Sequence, residues 1–168
     1  MSAIVLVSIR QQRLQLREDD RVLMDVPVST ARNGPGERSG SERTPRGLHR
    51  IRAKIGHDLP PNAVLVARRP TGEILSPSLA EQYPCRDWIL SRILWLSGLE
   101  PGRNRLGHCD TMRRYIYIHG CPDHEPVGEP GSHGCIRMRN HDVIRLFDSV
   151  EVGTTVYIAE GELALPPG

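Results

Sequence analysis

The sequence predicts a mostly-β single domain that spans residues 1–168. Valine, isoleucine and leucine supply most of the apolar positions, and they occur in short runs of the length that strands have. The 16 glycines and 14 prolines are spread between these runs, where turns are expected. A chain of this length is long enough to enclose its own core, and it contains no repeat or linker that would divide it.

The first half of the chain predicts five strands and one long loop. Residues 29–47 are rich in glycine, serine, proline and arginine, so they predict an exposed loop. The sequence leaves open whether this loop is plain surface or the wall of a substrate groove, because long loops in compact domains are often functional. The five predicted strands are residues 4–9, 14–16, 22–28, 49–55 and 63–68.

The second half of the chain mixes helix and strand signals. Residues 76–87 predict irregular chain or a short helix, and residues 88–96 form an apolar run that fits either a buried helix or a buried strand. Residues 114–118 predict a strand with His119 at its end. Residues 154–158 predict the last strand.

One amphipathic helix is predicted near the C-terminus. Asn140 has a side chain that suits the N-cap position. Gly153 follows as part of the turn before the last strand. Four apolar residues recur at the spacing of one helix face: Val143, Leu146, Phe147 and Val150.

Composition and charge exclude several classes of protein. The formal net charge is +2, so nothing indicates a nucleic-acid partner. No apolar run approaches the about 20 residues that a membrane-spanning helix needs, so the sequence predicts no transmembrane segment. The apolar run at residues 3–7 is too short for a signal peptide and has no basic residues before it. We interpret it as part of the first strand.

The segment Ser132-His133-Gly134-Cys135-Ile136-Arg137 carries the residues best suited to chemistry. A cysteine attacks as a thiolate, which forms readily when an imidazole accepts its proton, and His119 and His133 both lie close to Cys135 in sequence. Glycine beside the cysteine lets backbone N–H groups face a developing oxyanion. The residues alone therefore predict a Cys–His site for acyl transfer, with the amides of Gly134 and Cys135 as oxyanion donors.

Two blocks of the sequence resemble the catalytic signature of the L,D-transpeptidase (YkuD-type) family. One block runs over residues 115–120 and ends in His-Gly, and the other runs over residues 132–138 around the cysteine. Residues 29–47 and residues 140–154 also resemble the family pattern, in the right order. The resemblance covers nearly the whole chain. It implies an L,D-transpeptidase-like β-sandwich with a few short helices, and it favours a strand for the second half of residues 88–96.

The resemblance implies a role for each residue of the catalytic pair. Cys135 is implied to be the nucleophile, and His119 is implied to take its proton and later return it to the leaving amine. The carbonyl of Gly120 is implied to hold the other ring nitrogen of His119. His133 could also act as a base, but in the resembling family this position mainly shapes the pocket.

Two further residues of the motif are expected to support the site. Ser132 is expected to hydrogen-bond locally. Arg137 either binds a substrate carboxylate or braces the site, and the sequence does not separate these roles.

A zinc site is the competing interpretation of this region. Zinc binds thiolates and imidazoles. The spacing of these residues fits no C-x-x-C knuckle, so we predict no metal ligands. Acyl transfer through a thioester conserves the energy of the broken amide bond, so we also predict no cofactor. The residues that the zinc interpretation would use are His108, Cys109, His119, Cys121, His124, His133 and Cys135.

The four cysteines leave the disulfide state open. Cys85, Cys109 and Cys121 accompany Cys135, and this count permits one disulfide beside a free nucleophile, or none. Cys121 stands where the resembling family more often has threonine. Because it lies two residues beyond His119, we expect it near the pocket, where a disulfide to Cys135 would block the nucleophile. We favour a spectator thiol over this redox control.

The resemblance implies a peptidoglycan L,D-transpeptidase that acts on stem peptides. Cys135 would attack the third residue of a tetrapeptide stem, D-alanine would leave, and an amine of a neighbouring stem would form a 3–3 cross-link. The alternative is hydrolysis at the same site, as an L,D-carboxypeptidase or L,D-endopeptidase; a non-enzymatic zinc or peptidoglycan-binding module is the third candidate. The resemblance also implies a periplasmic or cell-envelope location, although no signal peptide is visible, and we expect a monomer.

Overall fold

The computed structural model describes residues 3–167, and it confirms the mostly-β prediction. Its strands join in one hydrogen-bonded sheet of ten. The helices within the described residues are α1 Pro77–Gln82 and α2 Asn140–Ser149, with one 3₁₀ turn at Gly107–Cys109. The strands are β1 Ala3–Ser8, β2 Arg13–Glu18, β3 Arg21–Pro27, β4 Gly47–Ile55, β5 Ala63–Val66, β6 Arg69–Ile74, β7 Ile89–Gly98, β8 Tyr117–Gly120, β9 Ile136–Met138 and β10 Thr155–Ala159.

The sheet curls so that strands far apart in its order meet. The main order is β3-β2-β1-β10-β4-β7-β5-β6, with β8 paired to β7 and β9 paired to β8. Just beyond β3, the Ser29 amide donates to the Arg137 carbonyl at 2.9 Å, and the Arg137 amide donates to the Ser29 carbonyl at 2.8 Å. The chain leaving β3 therefore pairs with β9, which lies on the other branch of the sheet.

One hydrophobic core fills the curl of the sheet. It takes Val5 from β1, Leu16 from β2, Leu94 from β7 and Ile136 from β9, all nearly inaccessible to solvent. The apolar face of α2, which includes Leu146, closes the same core. Burial of each such side chain contributes about 1.5–3 kcal/mol. The strands that carry the functional motif are therefore anchored by the largest apolar cluster of the described residues.

The ambiguous run at residues 88–96 is a strand from Ile89 onward, which the family resemblance favoured for its second half. Strand β7 is nearly continuously buried because it pairs with β4, β5 and β8. The uncertain segment before it contains the short helix α1, whose N-cap Ser76 accepts the Leu79 amide at 3.2 Å. Strand β6 was not predicted. It pairs with β5 across a tight turn at residues 67–68.

The predicted strand at residues 114–118 is wrong in its first half. Strand β8 begins only at Tyr117, and it carries His119 near its end, as its last residue but one. The Arg114 amide donates to the Asp110 carbonyl, so the chain forms a turn there. Tyr115 follows in the left-handed region, with φ +56°, which interrupts extended pairing.

The prediction that Asn140 caps α2 is also wrong. The N-cap residue is Arg139, and Asn140 is the first residue of the helix. Its side chain turns inward and hydrogen-bonds to Ser91 and to the Cys121 carbonyl instead of capping the helix. These partners come from distant parts of the chain, so a local sequence pattern could not reveal them.

Candidate active site

Cys135 and His119 come together because β8 and β9 are adjacent parallel strands. His119 pairs with Arg137 across these strands. Cys135 precedes Arg137 by two residues, and Tyr117 precedes His119 by two, so all four side chains lie on one face of the sheet. The amide of Tyr117 donates to Cys135 Sγ at 3.3 Å, which fixes Cys135 beside Tyr117. The thiol and the imidazole are therefore diagonal neighbours.

The surroundings of the Cys135 thiol favour its protonated form. Sγ donates to the Tyr115 carbonyl at 3.4 Å, which requires the S–H proton. Burial raises the pKa of the thiol to about 12, and the Tyr117 amide that donates to Sγ opposes this only in part. The resting nucleophile is thus a thiol, and a base must remove its proton.

The surroundings of His119 suit a proton acceptor. Its Nδ1 lies 2.7 Å from the Gly120 carbonyl, the contact that the family resemblance implied. A carbonyl oxygen only accepts, so the proton sits on Nδ1 and the neutral ring offers Nε2 as acceptor. His119 is 1% exposed, and burial lowers its pKa. Among residues 3–167 no hydrogen bond joins this ring to Sγ; such contacts often tighten only when substrate binds.

The turn that presents Cys135 requires glycine at position 134. Gly134 has φ +132°, and a Cβ there would lie 3.1 Å from Ile116 Cδ1. Ser132 Oγ accepts the Gly134 amide at 3.1 Å and donates to the Cys135 carbonyl, so Ser132 holds the turn by local bonds. This corrects one expectation. The Gly134 amide is already used, and the Cys135 amide is the candidate oxyanion donor.

The long loop at residues 29–47 braces this turn. Thr44 Oγ1 donates to the Gly134 carbonyl at 2.9 Å and accepts the Ala31 amide at 2.9 Å. Thr44 is fully buried. The loop is therefore more than plain surface. Sequence reasoning did not single out Thr44, although it lies in a block that resembles the family pattern.

A cleft of about 290 Å³ is lined by His133 and Arg137, which flank Cys135 in sequence, although neither Cys135 nor His119 lines it. Arg137 lines it and pairs with Asp87, with Nη2 3.1 Å from Oδ1. His133 also lines it, and its Nδ1 lies 3.7 Å from Asp87 Oδ2. The side chain of His133 is 62% exposed, so it stands at the cleft edge rather than beside the thiol. Asp87 was missed, because it follows a segment with no clear pattern.

The chain matches one known protein family over most of its length. The family model described as the YkuD L,D-transpeptidase catalytic domain matches residues 2–158. This chain belongs to that family.

Two curated relatives match shorter segments. The Bacillus subtilis (strain 168) protein named "Putative L,D-transpeptidase YqjB" is 49% identical over 50 residues, 30% of this chain and 28% of the relative. The Escherichia coli (strain K12) protein named "Probable L,D-transpeptidase ErfK/SrfK" is 47% identical over 47 residues, 28% of this chain and 15% of the relative.

Solved structures of L,D-transpeptidases share the fold. L,D-transpeptidase 3 from Mycobacterium tuberculosis, in complex with a faropenem-derived adduct, superposes with a TM-score of 0.56 at 20% identity. That match covers 95% of this chain and 60% of the other. The L,D-transpeptidase from Xylanimonas cellulosilytica DSM 15894 gives a TM-score of 0.54 at 20% identity, covering 94% of this chain and 60% of the other. The chain thus spans less than two thirds of these relatives.

The L,D-transpeptidase fold separates Cys121 from the nucleophile. Cys135 lies beside Tyr117, and Cys121 follows Tyr117 by four residues, about 13 Å at about 3.3 Å per residue. A disulfide needs Cα atoms within about 7 Å, so this geometry does not permit a Cys121–Cys135 bond. Cys121 is buried and donates to the Met138 carbonyl, and burial raises its pKa to about 11. All four cysteines are free thiols.

The residues of the zinc interpretation are dispersed in the fold. Within residues 3–167, no group of three or more His, Cys, Asp or Glu side chains is arranged to hold a metal ion. His119 and Cys121, for example, are hydrogen-bonded to the carbonyls of Gly120 and Met138, respectively.

Neither of the two described helices has the length or hydropathy of a membrane span.

Proposed function

We propose that this member of the L,D-transpeptidase family transfers an acyl group between peptidoglycan stem peptides through a thioester on Cys135. The observation that carries the proposal is the neutral pair at the junction of β8 and β9. A half-buried thiol and an imidazole lie on the same face of adjacent chain segments, and the imidazole has its Nδ1 hydrogen-bonded to the Gly120 carbonyl, which leaves Nε2 as the proton acceptor. Such a pair suits attack on an amide without a preformed thiolate.

In the first half of the reaction, Sγ of Cys135 attacks the carbonyl carbon of the third residue of a tetrapeptide stem. The thiol proton moves to Nε2 of His119, and the amide of Cys135 stabilises the oxyanion. When the tetrahedral intermediate collapses, the C–N bond breaks and His119 gives the proton to the departing D-alanine amine. A thioester on Cys135 remains.

In the second half, an amine of a neighbouring stem attacks the thioester. His119 removes one proton from this amine and returns it to the sulfur as the C–S bond breaks. The product is a 3–3 cross-link. Water in place of the amine would make the enzyme an L,D-carboxypeptidase or L,D-endopeptidase. The charges of both signs in the cleft, Arg137 and Asp87, suit a peptide that carries both carboxylates and amines.

Incubation of the purified protein with disaccharide-tetrapeptide, followed by mass spectrometry, tests this proposal. We expect cross-linked dimers and free D-alanine from the unchanged protein, and neither from Cys135→Ala. Cys121→Ala is the matched control, because it removes a second thiol of the same region. Tripeptide without dimers would establish hydrolysis instead. No product, from folded protein, would refute both the cross-linking and the carboxypeptidase reaction.

We propose further that a carbapenem acylates Cys135, because its ring carbonyl imitates the donor amide. Peptide mapping should find the adduct on Cys135 alone, and an adduct on Cys121 or Cys109 would contradict the assignment.

A periplasmic or cell-envelope location belongs to the same proposal, because the substrate lies outside the cytoplasm. Cell fractionation of the native host with an antibody against the protein would test the location.

A further inference from the structure

Gly120, the residue that follows His119, is packed against a buried asparagine. The carbonyl of Gly120 receives the Nδ1 proton of His119 at 2.7 Å. A Cβ on Gly120 would collide with Asn140 Oδ1 and would lie 2.6 Å from the Leu90 carbonyl. Only glycine fits between these groups. The position of the Gly120 carbonyl, and with it the orientation of the His119 ring, therefore depends on where Asn140 sits.

The side-chain amide of Asn140 is itself fixed by hydrogen bonds. Its Oδ1 accepts the Ser91 hydroxyl at 2.7 Å. Its Nδ2 donates to the carbonyl of Cys121 at 2.9 Å and to Asn62 Oδ1 at 2.9 Å. Asn140 is 5% exposed, so water does not compete with these bonds. The Nδ2 group of Asn140 is thus hydrogen-bonded to the residue after Gly120, while its Oδ1 packs against Gly120 itself.

Ser91, which donates its hydroxyl to Asn140, lies where the pairing of strand β7 is irregular. The pairing of β7 with β8 shifts register between Leu90 and Ile93. Within that irregularity Ser91 has φ +72° and is fully buried. Such a conformation is unfavourable for a residue with a side chain, and it is retained mainly where the surrounding structure requires it. Bulges of this kind redirect side chains next to active sites. Here the bulge aims the hydroxyl at Asn140.

We propose that Asn140, held by Ser91, is a positioning residue for the catalytic histidine. By fixing the Gly120 carbonyl, it keeps the proton of His119 on Nδ1 and leaves Nε2 as the acceptor for the thiol proton of Cys135. Asn140 does not contact the substrate. The inference rests on the proposed role of His119 as the base, but it makes a separate statement about the tautomer of that ring.

Two measurements on Asn140→Ala test the inference. In the unchanged protein, ¹⁵N NMR of the histidine side chains should find Nδ1 of His119 protonated and Nε2 unprotonated. In Asn140→Ala we expect a mixture of tautomers. The rate at which imipenem acylates Cys135 should fall about 10–100-fold, by analogy with the loss of outer-shell partners of metal-binding histidines.

A near-isosteric variant and a matched control separate positioning from packing. Asn140→Asp fills the same space but turns the donor toward the Cys121 carbonyl into an acceptor, so we expect a similar loss of rate. Asn104→Ala is the control. Asn104 is equally buried and also bridges backbone groups, those of Arg46, Leu48 and Glu100, away from His119. It should lose stability while keeping the tautomer and the acylation rate.

Two results would overturn the inference. One is a folded Asn140→Ala or Asn140→Asp protein with the normal tautomer and acylation rate, and the other is the same loss in Asn104→Ala. If Asn140→Ala does not fold, Ser91→Ala carries the test, since Asn140 then keeps its bonds to the chain and a smaller loss in the same direction is expected. The tautomer measurement needs no turnover, so it stands even if His119→Ala were to keep full activity and refute the proposed base.

Discussion

The raised pKa of the Cys135 thiol leads to a quantitative prediction about its reactivity. Burial raises the pKa of this thiol from the ordinary 9.0 to about 12. At pH 7 the thiolate fraction is then about 1 in 10⁵ rather than about 1 in 10². A thiolate of higher pKa is the better nucleophile, which recovers about one and a half powers of ten. We therefore expect Cys135 to react with iodoacetamide about 30-fold more slowly than an unperturbed thiol.

The dependence of this rate on pH is the sharper measurement, because limited access of the reagent lowers the rate equally at every pH. Between pH 6 and pH 10 the alkylation rate of Cys135 should rise tenfold per pH unit without a plateau. Alkylation followed by peptide mapping gives the rate at each cysteine separately. Cys85 is exposed and serves as the internal reference for the reagent.

A preformed thiolate–imidazolium pair would give a different profile. The rate would reach a plateau with a midpoint below about pH 8, and the plateau would disappear in His119→Ala. That result would refute the neutral resting pair. The mechanism would then begin from a charged nucleophile, and His119 would serve mainly as the acid for the leaving amine.

Three further predictions follow from individual side chains. His119→Ala should lower the acylation rate by about 10²–10⁴-fold, whereas His133→Ala should lower it far less because His133 is largely exposed; the reverse order in folded variants would exchange their roles. Cys121→Thr should keep nearly full activity, because a threonine hydroxyl can also donate to the Met138 carbonyl, and loss of activity in the folded variant would give Cys121 a role. Burial lowers the pKa of His49 from 6.5 to about 4, so the unfolded chain binds the proton more tightly, and the free energy of unfolding should fall by about 3 kcal/mol between pH 7 and pH 4. Urea unfolding at both pH values should show a smaller fall in His49→Gln, and an equal fall would contradict this account.

Local sequence was sufficient for the features whose physics is local. Short β-branched runs separated by glycine and proline predicted a mostly-β chain. The apolar spacing predicted α2, whose residues Val143, Leu146 and Phe147 are buried. The residues flanking Cys135 marked it as the candidate nucleophile, because glycine and serine at a sharp turn form a recognisable pattern. His119 was found as well, since the family resemblance joins its block to that of Cys135.

Contacts between distant segments were beyond the reach of the sequence. Residues 88–96 form a strand because β4, β5 and β8 supply partners for its backbone, and a run of apolar residues alone does not indicate those partners. Asn140 looked like a helix cap. Its side chain instead bonds to Ser91, which lies 49 residues earlier in the chain. Thr44 and Asp87 reach the site in the same way, through folding of the chain rather than through a motif.

The sequence by itself thus determined the candidate nucleophile, Cys135, because a cysteine between glycine and serine at a turn is recognisable from side-chain type and spacing, and the family resemblance selected His119 over His133 as the candidate base. Only the tertiary structure decided the state in which they rest. The pKa of Cys135 and the tautomer of His119 depend on burial and on which backbone groups lie within hydrogen-bonding distance. Those quantities arise where β7, β8 and β9 meet, because desolvation and hydrogen bonding act between atoms that the fold brings together from separate parts of the chain.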